Sequence, residues 1–522
     1  MREADLLQNP AMLYCHDLEG DAMNYRRPAQ LFSALPAIAA AMLACNTFFS
    51  TPTPHAPATE AVLTSTTAIP SDPHAGSPGL GDSLYPNFGN GGYQVEHYTL
   101  DITVDDVATS RLTAVTTIQA KATQVLSRFN LDFLGFEITQ ITVNDQPATY
   151  QRSGQELSIT PAGLIADKQS FTIVVQYHGT PSPMMSQALP FQTGWVNFEG
   201  ASYVLSEPDG SASFFPVNDH PLDKALYTFR VTVPKPYSVA ANGLLTETTE
   251  SGATTTFLFE EHDPMSSYLV TIDIDQFDLE KTKSGGGIPI RNYFASALPA
   301  DVRKPFARQG EMLDYFSGLF GPYPFEVYGA LVMNAQFGAA MEDQTLSIFG
   351  TDMIDLQDVK GTELTVAHEL AHQWFGDSVS VADWSDIWLN EGFATYAEGL
   401  WAEHADGRAA LDDWIKSLYE EVKQNPGFYP PPGDPAAHDL FNGGVYLRGG
   451  LTLHALRLQV GDETFFKILQ TYHDRYKFRN VITADFIGIA ETVSGKELNG
   501  FFDDWLYGTD LPPIPAMGLG TD

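Results

Sequence analysis

The sequence predicts two successive domains, an all-β domain followed by a mainly helical one. Three observations carry that prediction. From about 88 to 285 apolar residues alternate with period two in short runs between turn residues, the pattern of half-buried strands. From 361 onward the apolar spacing is helical, with residues three and four apart sharing a face. At 522 residues the chain is long enough for two or three domains and a large core.

Residues 1–45 read as an export signal. From Met23 the chain has a basic start at Arg26 and Arg27, then an apolar run of 14 residues from Leu31 to Ala44. That is the length of a signal-peptide core and too short for a membrane span. The run ends in MLAC, which resembles the bacterial lipobox, with Met42 in place of the usual Leu. Cys45 would then be lipidated and become the first residue, giving a cell-envelope lipoprotein. An ordinary secretory signal with a chance cysteine is the alternative. Met23 is the natural start of such a precursor, which makes residues 1–22 a start-site artefact. Cys15 and Cys45 are the only two cysteines, so a disulfide-stapled fold is excluded.

Residues 46–84 are rich in Ser, Thr, Pro, Ala and Gly and read as a flexible linker, with too little apolar surface to fold. The β domain is expected over 85–285. HYTLDITVD, RLTAVTTIQAKAT, FEITQITVND, SFTIVVQYHG, LYTFRVTVP, TTTFLFEEH and SYLVTIDIDQF are its strands, most simply arranged as a sandwich. The second domain is expected over 286–522. It opens with strands IPIRNYFA and YGALVMNA, and the amphipathic helix VRKPFARQGEMLDYFSGLFG lies between them.

Charge narrows the partners. With 65 acidic and 28 basic residues the net charge is −37, which excludes nucleic acid, since phosphate binding needs a basic surface. A strongly negative body attracts cations, including the free ammonium of a peptide N-terminus. Plain solubility, or adaptation to salt or acid, accounts for most of the charge.

The most informative stretch is VAHELAHQWFGDS, 366–378. His368 and His372 are four residues apart in a helix-forming run closed by Gly376, so their imidazoles stack on one face and reach a single metal ion. Glu369 lies beside them, placed to take a proton from a metal-bound water. The helix is expected from about Thr362. A second helix, 385–400, has Ser385 or Asp383 as its N-cap and carries Glu391, with 18 residues between it and His372. Two histidines and a glutamate leave a fourth position open, as expected of a catalytic zinc.

HELAHQWFGDSV followed by WLNEGFATY resembles the zinc aminopeptidases that include aminopeptidase N and leukotriene hydrolase, a group of gluzincin metallopeptidases. Four further segments carry the resemblance. FGAAMEDQT, 337–345, resembles the Gly-Ala-Met-Glu-Asn exopeptidase motif, with Ala339 for Gly and Asp343 for Asn. GGVYLRGGLTLHALR, 443–457, resembles the Tyr-x-Lys-Gly segment, with Arg448 for Lys. SEPDGSASFFPVNDHPLDKALYTF, 206–229, matches a family signature at Glu207, Pro208, Phe215, Pro216, Asp219, Pro221 and Lys224. Leu205 stands where Gln is usual and His220 where Glu is usual. FFDDWLYGTDLP, 501–512, resembles the motif that ends the catalytic domain.

The resemblance, which covers roughly 90 to 515, implies a saddle-shaped N-terminal β domain and a thermolysin-like, mainly helical catalytic domain. It implies one zinc ion on His368, His372 and Glu391, with Glu369 as the general base and Tyr446 as a donor to the oxyanion. It also implies that Glu207 and Glu342, with Ala339, Ala340 and Met341, bind the N-terminal residue of a peptide whose α-amine is free. Larger relatives carry a C-terminal helical domain. This chain stops near where the catalytic domain is expected to end, so a more open site is expected. A monomer is expected, with membrane attachment only through lipid. Two other readings stay open: a thermolysin-type endopeptidase, and a surface-displayed binding lipoprotein with a vestigial peptidase domain.

Overall fold

The computed structural model describes residue 72 and residues 74–521. The export signal, Cys45 and most of the linker lie outside the described residues.

Eight strands form the large sheet of the N-terminal region. Their order is Leu244–Ser251, Thr254–Met265, Ala225–Pro234, Tyr93–Asp106, Arg111–Ala122, Ser170–Gly179, Glu137–Val143 and Gln146–Pro147. The central strand Tyr93–Asp106 buries Tyr98, Leu100, Ile102 and Val104 on one face, the period-two pattern visible in the sequence. Its register against Arg111–Ala122 shifts between Val95 and His97, a bulge that preserves the inward set on both sides. A second sheet holds five strands, Ser238–Ala241, Ile272–Asp275, Ala201–Leu205, Gln192–Phe198 and Met184–Met185. Packed rings join the two sheets: Tyr98 meets Phe215, Phe215 meets Phe214, and Phe214 meets Trp195, with centroids 4.9–5.7 Å apart.

The next sheet runs Phe277–Lys283, Pro289–Ala295, Ala330–Val332, Ser347–Phe349, Ala340–Met341. Its first strand lies before the sequence boundary at 285 yet pairs antiparallel with Pro289–Ala295. Ala340–Met341 forms the opposite edge. Eight α-helices follow or flank this sheet among the described residues: α1 Gln309–Phe320, α2 Val359–His372, α3 Trp388–Asp406, α4 Arg408–Gln424, α5 Gly449–Val460, α6 Asp462–Tyr476, α7 Thr483–Ser494 and α8 Asn499–Phe502. The N-terminal β region followed by a helical region is the architecture expected from the sequence. No helix among the described residues is long and apolar enough to cross a membrane.

Helix α2 begins at Val359, ahead of the expected Thr362. The Asp358 side chain accepts from the Gly361 N–H at 3.1 Å and caps the extra turn. Asp383 caps a short 3-10 turn, Trp384–Asp386, accepting from Ser385 N, and α3 starts just after it.

Residues 74–84, assigned by composition to the linker, pack against the body. Ala75 bridges to Arg128. Buried Asp82 accepts from the N–H groups of Leu84 and Tyr85 on Oδ1 and from Trp384 N on Oδ2. Its Oδ2 also lies 3.2 Å from His220 Nε2. Ser83 donates through N and Oγ to Asp383, and Tyr85 OH donates to Ala437 O. This strap joins the β region to the lead-in of α3.

Candidate active site

Helices α2 and α3 pack together and bring the predicted residues to one place. His368 and His372 project from α2, and Nε2 of each lies 3.3 Å and 3.5 Å from Glu391 Oε2 on α3. Donor atoms on a tetrahedral zinc, each about 2.0–2.1 Å from the ion, stand roughly 3.3 Å apart. Both His–Glu spacings match that separation, and the three ligand atoms lie within 4.8 Å of one another. The other ring nitrogens are already engaged: His368 Nδ1 is 2.8 Å from Glu398 Oε1, and His372 Nδ1 is 3.1 Å from Phe375 O. With Nδ1–H donating to these acceptors, Nε2 of each ring is left as a lone-pair ligand.

Two residues were not singled out in the sequence. Glu398 lies seven residues after Glu391, two turns along the same face of α3, and that spacing is the signal that finds it. Gln373 follows His372. Its Nε2 donates to Glu342 O at 2.9 Å, and its Oε1 accepts from Thr345 N at 2.8 Å. The edge segment carrying Glu342 is thereby tied to the helix carrying both histidines.

The Glu342 segment is also held by the β region. Asn242 Nδ2 donates to Gln344 O, and Gly243 N donates to Thr345 Oγ1, both at 2.8 Å. Thr345 has φ 67°, a left-handed conformation that a β-branched residue rarely adopts, and these contacts hold it there. Ala340 and Met341 pair antiparallel with Phe349 and Ile348, and Ala339 O accepts from Gly350 N. Lys224, buried in the β region, donates from Nζ to Asp377 O and Ser378 O at 2.7 and 3.1 Å. Burial pulls that ammonium down to about 7, with Asp377 opposing.

Carboxyl groups dominate the electrostatics. Oxygens of Glu207, Glu342 and Glu391 lie within 4.8 Å of one another, as do ligand atoms of Glu342, Glu369 and His372. Glu207 Oε1 and Glu342 Oε1 are buried with no hydrogen-bond partner. Burial, then the neighbouring Glu342, pushes the Glu207 carboxyl well above the usual range. Burial also raises Glu369, to about 8, against the pull of both histidines. Glu391 goes the other way. Burial opposes its ionisation, but His372 and His368, when protonated, hold it down at about 2.

Tyr446 lies on a single π-helical turn, Gly444–Arg448, and its ring stacks on His368 at 6.1 Å. Burial, reinforced by Glu391, Glu207, Glu342 and Glu369, keeps the phenol protonated. Two glycines allow this approach: a Cβ on Gly392 would stand 2.9 Å from Gly449 Cα, and the reverse is equally true. Arg448, at the end of the same turn, is buried and donates to the carbonyls of Trp505, Asp504, Gly508 and Asp510. It thus ties the Tyr446 turn to the segment after α8.

Residues 306–505 match the Peptidase family M1 domain and residues 94–269 the Peptidase M1 N-terminal domain. An M1 zinc metallopeptidase from Deinococcus radiodurans is 34% identical and superposes with a TM-score of 0.76, covering 84% of this chain and 99% of its own. The chain belongs to peptidase family M1. A variant of the Deinococcus protein bound to a Tyr-Ser-Ala substrate matches with a TM-score of 0.77. Aminopeptidase N of Streptomyces lividans is 27% identical over 420 residues, 75% of this chain and 48% of that protein. Glutamyl aminopeptidase of Homo sapiens is 29% identical over 333 residues, 60% of this chain and 34% of that protein. The chain therefore spans about half or less of the length of these two relatives. As in the M1 zinc metallopeptidases, the cofactor is zinc, and the two histidines and the glutamate described above have the geometry to hold it.

Proposed function

We propose that this M1 protein is a zinc-dependent aminopeptidase acting on peptides whose α-amine is free. The observation that carries this reading is the placement of Glu207 and Glu342 beside Glu391, with oxygens within 4.8 Å of one another. An α-ammonium with pKa near 8 is mostly charged at neutral pH. The approach of that positive charge would draw the raised Glu207 carboxyl back to its ionised form, and two carboxylates with unpartnered oxygens would then hold it through charge-assisted hydrogen bonds. Anchored there, the first peptide bond of the substrate reaches the metal ligands, whereas an internal peptide has no charge to offer.

Zinc held by His368, His372 and Glu391 would supply a Lewis acid to polarise a carbonyl and acidify water. Glu369 takes the proton of the attacking water and returns it to the departing amine. The Tyr446 hydroxyl donates to the carbonyl oxygen as negative charge develops on it, a contribution of about 3 kcal/mol for a preorganised donor. Glu398 and Phe375 O fix the two imidazoles. Glu207 follows a strand of the second sheet and Glu342 the edge strand of the third, so substrate binds where the two meet.

A thermolysin-type endopeptidase would share the zinc helix but have no use for the carboxylate pair. A vestigial binding domain would have no need of His368, Glu369, His372, Glu391 and Tyr446 together. The test is a panel of aminoacyl fluorogenic amides with and without N-acetylation, with a chelator control and Glu369→Gln as the inactive reference. Free-amine substrates should be cut and acetylated ones spared. Similar rates on both would move the assignment to the endopeptidase.

We propose also that the chain is exported and held at the cell envelope by lipid on Cys45. The support is Arg26, Arg27, the 14-residue apolar run and MLAC. Mass spectrometry of the mature protein should find a modified Cys45 as the first residue. An unmodified start elsewhere would overturn this.

A further inference from the structure

Among the described residues, two of the three groups of metal-competent side chains share Glu391. His368, His372 and Glu391 form one; Glu207, Glu342 and Glu391 form another. The second is built entirely of carboxyl groups; in two of them an oxygen, Glu207 Oε1 and Glu342 Oε1, is buried without a hydrogen-bond partner, and His372 Nδ1 stands 4.0 Å from Glu342 Oε1, beyond hydrogen-bond reach. The Glu342 side chain is only 4% exposed, so solvent does little to compensate it. A buried carboxylate oxygen left unpartnered is costly, and here two converge on a third carboxylate. Lys224 does not relieve them, because its ammonium is spent on the carbonyls of Asp377 and Ser378.

We propose that Glu207, Glu342 and Glu391 form a second cation site beside the zinc, occupied by an oxygen-liganded divalent cation when no substrate is bound. Glu391, common to both groups, would be shared between the two sites. The donor set selects the class of ion: carboxylates with water completing the shell suit Mn²⁺, Mg²⁺ or Ca²⁺, whereas the imidazole-containing group suits zinc. The inference rests on the reading of Glu207 and Glu342 as the ammonium pocket, and it makes the substrate's ammonium and the second cation rivals for the same oxygens. Added divalent cation should therefore inhibit competitively against free-amine substrates.

The experiment titrates Mn²⁺ into zinc-loaded protein at about 0.15 M salt, where long-range surface attraction is screened, and counts free Mn²⁺ by electron paramagnetic resonance. Mn²⁺ ranks below zinc in affinity for such sites and leaves the first ion in place. One Mn²⁺ per chain should bind above a weak surface background. Glu342→Gln and Glu207→Gln should each weaken that event at least tenfold with zinc content unchanged. If Glu342→Gln loses zinc or fails to fold, Glu207→Gln decides alone. Absence of the event, or an event that neither variant alters, overturns the proposal. Free L-leucine should displace the Mn²⁺ and N-acetyl-leucine should not. Variant-sensitive Mn²⁺ binding that leucine cannot displace would keep the cation site and overturn the ammonium reading instead.

Discussion

Glu398 and His368 form a buried carboxylate–imidazole pair, with Oε1 and Nδ1 2.8 Å apart and both side chains at most 10% exposed. The pair fixes the ring of one zinc ligand from behind. Replacing such a partner typically costs 10- to 100-fold in metal affinity. Glu398→Ala should weaken zinc by about that factor, measured by competition with a chelator of known affinity. Glu398→Gln keeps an acceptor for Nδ1–H and should lose less. Equal zinc affinity in the parent and both variants would show that the contact does not orient the ring.

Glu342→Ala separates anchoring from chemistry. Losing a charge-assisted pair in a desolvated pocket should cost at least ~3 kcal/mol, two or more decades in kcat/KM, on free-amine substrates. Acetylated substrates never used that charge, so their already low rates should barely change. A uniform fall on both classes would mean that Glu342 serves the metal site or the fold rather than the amine.

The crossing of Gly392 and Gly449 sets the distance between the zinc helices and the Tyr446 turn. Gly449→Ala places a methyl 2.9 Å from Gly392 Cα, so the helices must part. Overpacking of this kind costs about 1–3 kcal/mol, and a displacement of about 1 Å at a catalytic donor can cost ~100-fold in rate. Zinc content should stay at one per chain while kcat falls. Gly488→Ala is the contrast: a Cβ there meets nothing within 4 Å. That variant should gain about 0.5–1 kcal/mol from helix propensity alone, read from urea unfolding.

Burial raises Asp273 to about 8, although Thr271 Oγ1 and Val204 N both donate to it. The folded state therefore keeps a proton on Asp273 that the unfolded chain releases near the ordinary aspartate value of about 4. Between these two values the native state binds more protons than the unfolded one, so this group's contribution falls as pH rises. Asp273→Asn removes that slope. The stability of the variant relative to the parent should climb from pH 4 to pH 8 and level off above, measured by denaturant unfolding across that range. A flat or opposite difference would place the carboxyl in its ionised form.

The metal half of the site was legible because its information is local. His368, Glu369 and His372 sit within five residues, and Glu391 follows on the next helix. Glu398 was equally readable from the period of α3. The supporting contacts were not, because each joins distant segments. Lys224 was visible as a motif position, but its acceptors are carbonyls some 150 residues away. Gln373 looked like one more polar residue after the motif; its value lies in bonds to Glu342 O and Thr345 N. Phe277–Lys283 escaped the domain assignment for a different reason. After Phe277 every residue of that strand is exposed, so no inward alternation marks which sheet it joins.

The strap through Asp82 also constrains the order in which the molecule can be completed. Its carboxylate is the acceptor for Trp384 N, 302 positions away in sequence, and Ser83 and Asp383 add two more bonds across nearly the same interval. Closing so large a loop costs only a few kcal/mol more than closing a short one, since the entropy grows with the logarithm of length. What the separation sets instead is order. The strands from Tyr93 onward can pair with near neighbours in sequence, as Tyr93–Asp106 does with Arg111–Ala122, whereas the strap needs a partner 302 positions on. The lead-in to α3, just ahead of Glu391, is thus fastened by a segment about 300 positions upstream of it, a contact that local strand pairs can precede.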